Sequence, residues 1–285
     1  MKQPMRILVT GANGQLGRHM QLAAGRQTAD CYLFADRAAL DVTDREAVLR
    51  YVAGEQVDII VNCTAYNDTE RAEQEEAAAF RVNAEAVGYL AEAAKQQGAL
   101  LIHISTDFVF MGGCCSVLTE QSYPQPSNAY GRSKLAGEEA IRQSGCHYII
   151  LRTAWLYSEF GHNFVKTILQ LSDERETLRV VQDQVGSPTY AGDLAAAIVR
   201  LIRERRFSEG IYHYTNLGEC SRWEFAVEIC RLAGRTTHIE PCSSAEYPSQ
   251  VQRPKRVILD KGLFQTTFAQ EIPHWRESLE RMLTR

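Results

Sequence analysis

Tyr130 and Lys134 stand four residues apart at the head of a helix-like stretch, and Ser105-Thr106-Asp107 closes a short apolar run upstream of them. Side chains at i and i+4 share one face of a helix. A phenol and an ammonium on one face, opposite a hydroxyl at a strand end, make an acid–base site. The ammonium lowers the phenol's pKa, because a nearby positive charge favours the phenolate. The Thr106 hydroxyl then holds a carbonyl oxygen while Tyr130 protonates it, with Lys134 behind the phenol. Tyrosine–lysine pairs at this spacing are common on helix surfaces, so the pair gains meaning only from what precedes it.

What precedes it is a dinucleotide signature. Arg6-Ile7-Leu8-Val9 reads as a strand, and Gly11, Gly14 and Gly17 follow as Gly-x-x-Gly-x-x-Gly ahead of a helix-like run. The first glycine allows the tight turn, the second the approach of a pyrophosphate, the third close helix–strand packing. Free N–H groups at the helix start bind the anion. Gly11, Asn13, Gly14, Gln15, Leu16 and Gly17 are therefore read as cofactor-binding. Asp36 closes the next strand, 31–35, where a carboxylate accepts from the adenosine ribose. Arg37 beside it is where a 2′-phosphate would be met, which leaves NADPH and NADH both open. Asp41 and Val42 are placed toward the adenine edge. A strand at 57–61 runs into Asn62-Cys63-Thr64-Ala65-Tyr66, and Cys63, Thr64, Ala65 and Tyr66 border the room for the cofactor's middle section. A long helix from about 73 to 97 carries Asn83, which either ties strand ends together or positions a water near Lys134.

These elements alternate as βαβαβαβ, which predicts a Rossmann-type doubly wound parallel sheet of the α/β class. Pro124, Pro126 and Asn128 stop a loop and set the entry of the helix bearing Tyr130. Further strands are expected at 148–153, 178–181, 211–214, 237–239 and 257–260, and helices at 163–172, 193–203, 221–232 and 274–283. Ser221 with Glu224 forms a capping box. The chain divides into a dinucleotide-binding domain, 1–153 and 188–230, and a smaller, largely C-terminal substrate domain, 154–187 and 231–285. Trp155, directly after a strand, offers a ring to a sugar face or a pyrimidine base.

Composition narrows the classes further. The chain has 285 residues, 45% hydrophobic, with a formal charge of -4. That balance gives no pull toward nucleic acid or a membrane surface. There is no apolar run of membrane-spanning length and no signal-peptide pattern, so the expected location is the cytoplasm. The eight cysteines show no metal-ligand spacing and are expected as free thiols. No role is assigned to Cys114-Cys115.

Taken in order, RILVTGANGQLG (6–17), ADRAALDVTD (35–44), VNCTAY (61–66), RVNAEAVGYLAEAA (81–94), HISTDFVF (103–110), PSNAYGRSKLAGE (126–138), LRTAWLYSEFGHNF (151–164), VVQDQVGSPTYAGDLA (180–195) and GIYHYTNLGECSRWEFA (210–226) resemble the extended short-chain dehydrogenase/reductase family, and within it the branch that reduces dTDP-linked 4-keto sugars. The likeness spans essentially the whole chain. It implies Thr106, Tyr130 and Lys134 as catalytic, NADPH or NADH as cofactor, and reduction of the 4-keto group of dTDP-4-dehydro-L-rhamnose to dTDP-L-rhamnose. It places Trp155 and the 182–189 loop, with Gln184 and Ser187, toward the nucleotide-sugar. Asp107 and Phe108 border the same place, and Arg253 with Lys255 would meet the diphosphate. Phe108 stands where that branch usually has tyrosine, and Met111-Gly112 where it has Asp-Gly. A reductase of another dTDP-deoxysugar is therefore the alternative. A second is a non-catalytic relative of the methionine adenosyltransferase regulatory subunit, against which the intact Tyr130 and Lys134 speak. An epimerase or 4,6-dehydratase shares the fold, but Asp107 is followed by Phe108 and not by a second acid. Some members of the branch form Mg2+-bridged dimers through glutamates; nothing in the chain marks such a metal site, and both monomer and homodimer stay open.

Overall fold

The computed structural model describes residues 3–25, 29–110, 117–246, 251 and 253–284. Its elements run β1 (Arg6–Thr10), α1 (Gln15–Ala24), β2 (Cys31–Ala35), α2 (Arg45–Gly54), β3 (Ile59–Asn62), α3 (Thr69–Gln74), α4 (Glu76–Phe80), a π-helical turn (Arg81–Glu85), α5 (Ala86–Gln97), β4 (Leu100–Thr106), α6 (Ala129–Ser144) and β5 (His147–Thr153). They continue with β6 (Leu156–Tyr157), α7 (Phe164–Glu174), β7 (Thr177–Val181), β8 (Val185–Gly186), β9 (Thr189–Tyr190), α8 (Ala191–Glu204), β10 (Gly210–His213), β11 (Cys220–Ser221), α9 (Arg222–Leu232), β12 (His238–Cys242), α10 (Gly262–Phe268) and α11 (Trp275–Leu283). Met111, Gly112 and Cys114-Cys115 lie outside the described residues.

Near-continuous Ile, Leu and Val runs make the central strands, as burial on both faces requires. They form a six-stranded sheet in the order β10-β5-β4-β3-β1-β2, every neighbouring pair parallel. Alternate residues feed two cores. Ile7, Val9 and Ile102 pack with Ile198 and Leu201 of α8 and Phe264 and Phe268 of α10. Leu8, Ile60 and Leu101 pack with Val48 of α2, Leu90 of α5 and Ile141 of α6. The winding direction changes between β1 and β3, and ligands of such sheets bind outside the carboxyl ends of the strands at that point.

A second core lies beside the sheet. Leu178 and Val180 of β7, paired in parallel with β12, pack on Ile168, Phe225, Ile229, Trp275 and Leu279. Two expectations about the division change here. Phe225, Ala226 and Ile229 put α9 in this second core, although the expected boundary left residues up to 230 with the first. Phe264 and Phe268 put α10 in the sheet's core, although 231–285 was expected beside it.

Two expected elements also differ. Val257, Ile258 and Leu259 are buried but make no strand; single bridges, Leu118 to Leu259 and Val185 to Arg256, hold this stretch, and Val257 and Leu259 form a small cluster with Val109 and Phe110. Their apolar character reflects burial, and their pairing stops at single bridges. The expected helix 73–97 is broken. Glu75 leaves helical geometry at φ -120 and ψ 46, and the π-helical turn follows. Gly137 of α6 explains the close packing there, since a Cβ on it would lie 2.1 Å from the Asn83 carbonyl oxygen.

Candidate active site

Gly11 takes φ +65, and a Cβ there would fall 2.9 Å from the backbone of Cys63 and Thr64. A Cβ on Gly17 would lie 2.3 Å from the Gly11 carbonyl oxygen. Only glycines let this turn sit so close to the end of β3. Gly14 is the N-cap of α1, with no side-chain cap bond and no acidic residue in the first turn. The first N–H groups of α1 thus have no internal partner, the condition an anion meets. These features fit the pyrophosphate of a dinucleotide.

Around that turn the expected contacts sort themselves. Asp36 accepts from Asn13 Nδ2 at 2.8 Å and from the Ala38 and Ala39 N–H groups at 3.0 Å, which fixes its carboxylate at the end of β2. Arg37 is exposed and pairs with Asp41 at 3.4 Å. Thr43 donates twice to Asp41 and holds its carboxyl below the usual range. Val42 and Leu16 are core side chains, so only their backbones can face a cofactor. Cys63 is half-buried, its thiol pushed up to about 12 by burial, and Ala65 is exposed. The Tyr66 hydroxyl donates to Glu75. Asn83 is fully buried in the π-helical turn. It accepts from Tyr66 N–H and donates to Tyr66 O and Ser133 Oγ, clasping the loop after β3 to α6. Its hydrogen bonds are those of a structural tie.

Asn128 caps α6 by accepting from Gly131 N–H at 2.8 Å, which sets Tyr130 in the first turn. A Cβ on Gly131 would lie 2.2 Å from the Phe108 carbonyl oxygen, so the 107–109 turn is seated directly on that helix. Thr106, at the end of β4, stands beside the Tyr130 hydroxyl, where it favours the phenolate, and donates to Asp107 at 3.2 Å. Lys134 is buried one turn along and donates to the Ile104 carbonyl at 2.6 Å. The Tyr130 phenol is pushed up to about 12, by burial first and by the Asp107 carboxyl, against Thr106. The expected lowering of the phenol by Lys134 is absent, because the amine is turned toward Ile104 and His103 on β4. Burial lifts Asp107 to about 7 and lowers Lys134 to about 8.

Beside the trio lies a narrow cleft lined by Asp107, Phe108, Trp155, Gln184, Arg222 and Arg253, among others. Five of the seven residues expected at the substrate, all but Ser187 and Lys255, are therefore together. Ser187 is buried and donates to the Gly218 carbonyl at 2.8 Å. Trp155 has φ +47, and the Arg222 guanidinium lies 3.6 Å from its ring centroid. A Cβ on Gly186 would meet the same ring at 2.7 Å. The expected stacking on a base or sugar thus meets a ring already covered by an arginine. Arg253 pairs with Glu70 at 3.0 Å. Arg222 is pushed down to about 9, by burial first and by Arg253 opposite, against Asp107. Sequence reasoning passed over Arg222. The available signal was a cation in the first turn of a capped helix, where the helix dipole disfavours it.

Among the described residues no group of three or more His, Cys, Asp or Glu could hold a metal ion, and no helix is long and apolar enough to cross a membrane. The family model described as the RmlD substrate binding domain matches residues 5–285. A dTDP-4-dehydrorhamnose reductase of Sinorhizobium fredii is 37% identical over 288 residues, covering 98% of this chain and 97% of the relative. The crystal structure of a dTDP-4-dehydrorhamnose reductase from Bacillus anthracis in complex with NADP has a TM-score of 0.94 at 38% identity, with 99% of each chain covered. An ortholog from Clostridium acetobutylicum has the same TM-score and identity, covering 98% of this chain and 99% of its own.

Proposed function

The chain belongs to the RmlD family of dTDP-4-dehydrorhamnose reductases, and from that membership and the site we propose that it reduces the 4-keto group of dTDP-4-dehydro-L-rhamnose to give dTDP-L-rhamnose, with NADPH or NADH. The observation that carries the reading is the meeting of Thr106, Tyr130 and Lys134 at the carboxyl end of β4, beside both the glycine turn and a cleft lined by two arginines.

In this reading the α1 N-terminus and Gly11–Gly17 hold the pyrophosphate, and Asp36 and Arg37 meet the adenosine ribose or its phosphate. Bound there, the cofactor supplies hydride. Thr106 holds the C4 carbonyl oxygen. Tyr130 gives that oxygen a proton as charge develops on it. Lys134 leaves the resting phenol unlowered, its amine facing β4, and in its ammonium form favours the phenolate once the proton has left. Burial keeps Tyr130 protonated before reaction, which suits an acid that must begin with its proton. Arg222 and Arg253 meet the diphosphate, as guanidinium groups suit phosphate oxygens. Phe108 packs edge-on against Tyr130 with centroids 5.6 Å apart and gives the sugar an apolar wall.

The test is oxidation of NADPH and of NADH, followed at the nicotinamide absorbance band, with enzymatically made dTDP-4-dehydro-L-rhamnose. Tyr130→Phe should lower kcat by about 10²–10⁴-fold, the usual worth of a positioned acid. Equal rates for wild type and variant, or turnover only with another dTDP-keto-sugar, would refute the assignment.

A further inference from the structure

Three buried polar side chains lie in one row across the sheet, on the face covered by α6. Thr10 on β1 is in register with Asn62 on β3, and Asn62 with His103 on β4. Their exposures are 1%, 1% and 0%. The preceding row on this face, Leu8, Ile60 and Leu101, is aliphatic, so a polar row here is costly unless every group is satisfied. It leads to Lys134, whose Nζ lies 3.3 Å from His103 Nε2.

The hydrogen bonds in this row have a fixed direction. The Thr64 backbone N–H, which can only donate, reaches Asn62 Oδ1 at 3.0 Å, and Thr10 Oγ1 donates to the same oxygen at 2.8 Å. The other end of the amide, Nδ2, must then donate to His103 Nδ1, 3.1 Å away. A neutral imidazole that accepts at Nδ1 carries its proton on Nε2. Burial and the neighbouring Lys134 hold the His103 imidazole well below its ordinary value, so it is neutral. Its Nε2–H therefore points at Lys134. An ammonium has no lone pair to receive it, whereas an amine does.

We propose that His103 is a positioning residue for the reduction: oriented by Thr64 and Asn62, it donates Nε2–H to Lys134 and holds that side chain at the balance between amine and ammonium. This rests on the reading of Tyr130 and Lys134 as the acid pair. The charged and titratable groups around Lys134 are few. Glu138, on the same helix, favours the ammonium but is itself bound by Arg152 and Ser105. Tyr130 lies one turn before it, with Asp107 beyond Thr106. His103 faces it from β4, and Asn83 of the π-helical turn is uncharged. Burial, against Glu138, already brings Lys134 down to about 8, and the Nε2–H contact acts in the same direction as burial. The ammonium is the form that stabilises the phenolate, so reduction slows as pH rises through the lysine's pKa.

Two measurements test this. In protein labelled with 15N-histidine, the His103 nitrogens should show a protonated Nε2 and a bare Nδ1 throughout pH 6–8. A protonated Nδ1, or titration within that range, overturns the proposal whether or not the protein turns over any sugar. In protein labelled with 13C-lysine, the Lys134 Cε resonance, identified by its loss in Lys134→Arg, should titrate near pH 8. In His103→Leu it should titrate higher by about one pH unit, since a donor aimed at the amine is gone. In His103→Gln, whose amide can accept from Asn62 and donate to Lys134, it should stay near the wild-type value. The alkaline limb of kcat should follow the same order. A His103→Leu variant that loses rate with the Lys134 titration unmoved would reduce His103 to a packing residue and sink the idea. Absence of turnover with the lysine shift intact would instead count against the substrate assignment alone.

Discussion

At the residue scale, the cleft is governed by two positive charges, of which the sequence named Arg253 and passed over Arg222. Arg253 follows a buried Val251 and precedes a proline, and Arg222 follows an N-cap serine. Both guanidinium groups reach the same cleft as Asp107 and Trp155. Arg222 is the more committed of the two, because burial and the opposing Arg253 already disfavour its charge. An anion arriving there relieves that repulsion. Arg222→Ala should therefore raise KM for the dTDP-sugar by roughly 10–100-fold, the worth of a hydrogen bond to a charged group. The effect on kcat should be small, and Arg222→Lys should recover part of the affinity but not the bidentate geometry. Steady-state kinetics at saturating cofactor would show it; an unchanged KM would remove Arg222 from the substrate site.

At the element scale, the catalytic helix is seated by glycines rather than by large side chains. Gly131 admits the Phe108 carbonyl, and Gly137 admits the Asn83 carbonyl of the π-helical turn. A π turn leaves its carbonyls displaced from regular bonding, and such turns concentrate at functional sites. Gly137→Ala would drive a methyl group to 2.1 Å from that oxygen, so α6 or the turn must move. We expect it to cost about 1–3 kcal/mol in urea unfolding, as overpacking does. Activity should fall as well, since Tyr130 and Lys134 ride on the same helix. Gly88→Ala is the control. Its methyl would lie 3.8 Å from Ala140 Cβ, an ordinary contact. Helix propensity should then make that variant more stable by roughly 0.5–1 kcal/mol. Equal effects from the two substitutions would contradict this account of how α6 is held.

At the scale of the whole molecule, stability responds to pH through buried groups of opposite tendency. His103 and His213 are held below the ordinary histidine value, His213 at about 3, chiefly by burial. Below pH 6.5 the unfolded chain takes up protons that these two refuse, so they lower stability as pH falls. Asp107 is raised from 3.8 to about 7, so between those values the folded chain holds a proton that the unfolded chain has lost. It therefore raises stability as pH falls through that window. Near pH 5.5 the three groups leave the unfolded state about one proton ahead. Their joint contribution should then decline by about 1.4 kcal/mol per pH unit on acidification. Asp107→Asn removes the opposing term and should make the decline roughly twice as steep. Urea midpoints between pH 5 and 6 would measure both slopes; an unchanged slope in the variant would mean that Asp107 is ionised in the folded protein.

The two parts of the molecule also touch near the cofactor turn. Asn163 donates to Gln15 at 3.0 Å, and Glu159 joins His19 of α1 to Tyr190. The contacts of Gln15 and His19 cross more than a hundred residues of sequence, and no local pattern announces them. By contrast, the glycine turn, the helix entry at Asn128, the Ser221 cap and the strand–helix alternation were legible in the sequence. Each depends on residues within one turn or one strand, where spacing determines geometry. The pairing of Thr106 with Tyr130 was also legible, because the end of a parallel strand and the start of the next helix lie on the same side of the sheet. Tertiary structure alone decided the break in the 69–97 region, the places of α9 and α10, and the covering of Trp155 by Arg222. It also decided the row Thr10–Asn62–His103. That row exists only in the register between β1, β3 and β4, and register is a property of strands brought together from distant segments of the chain.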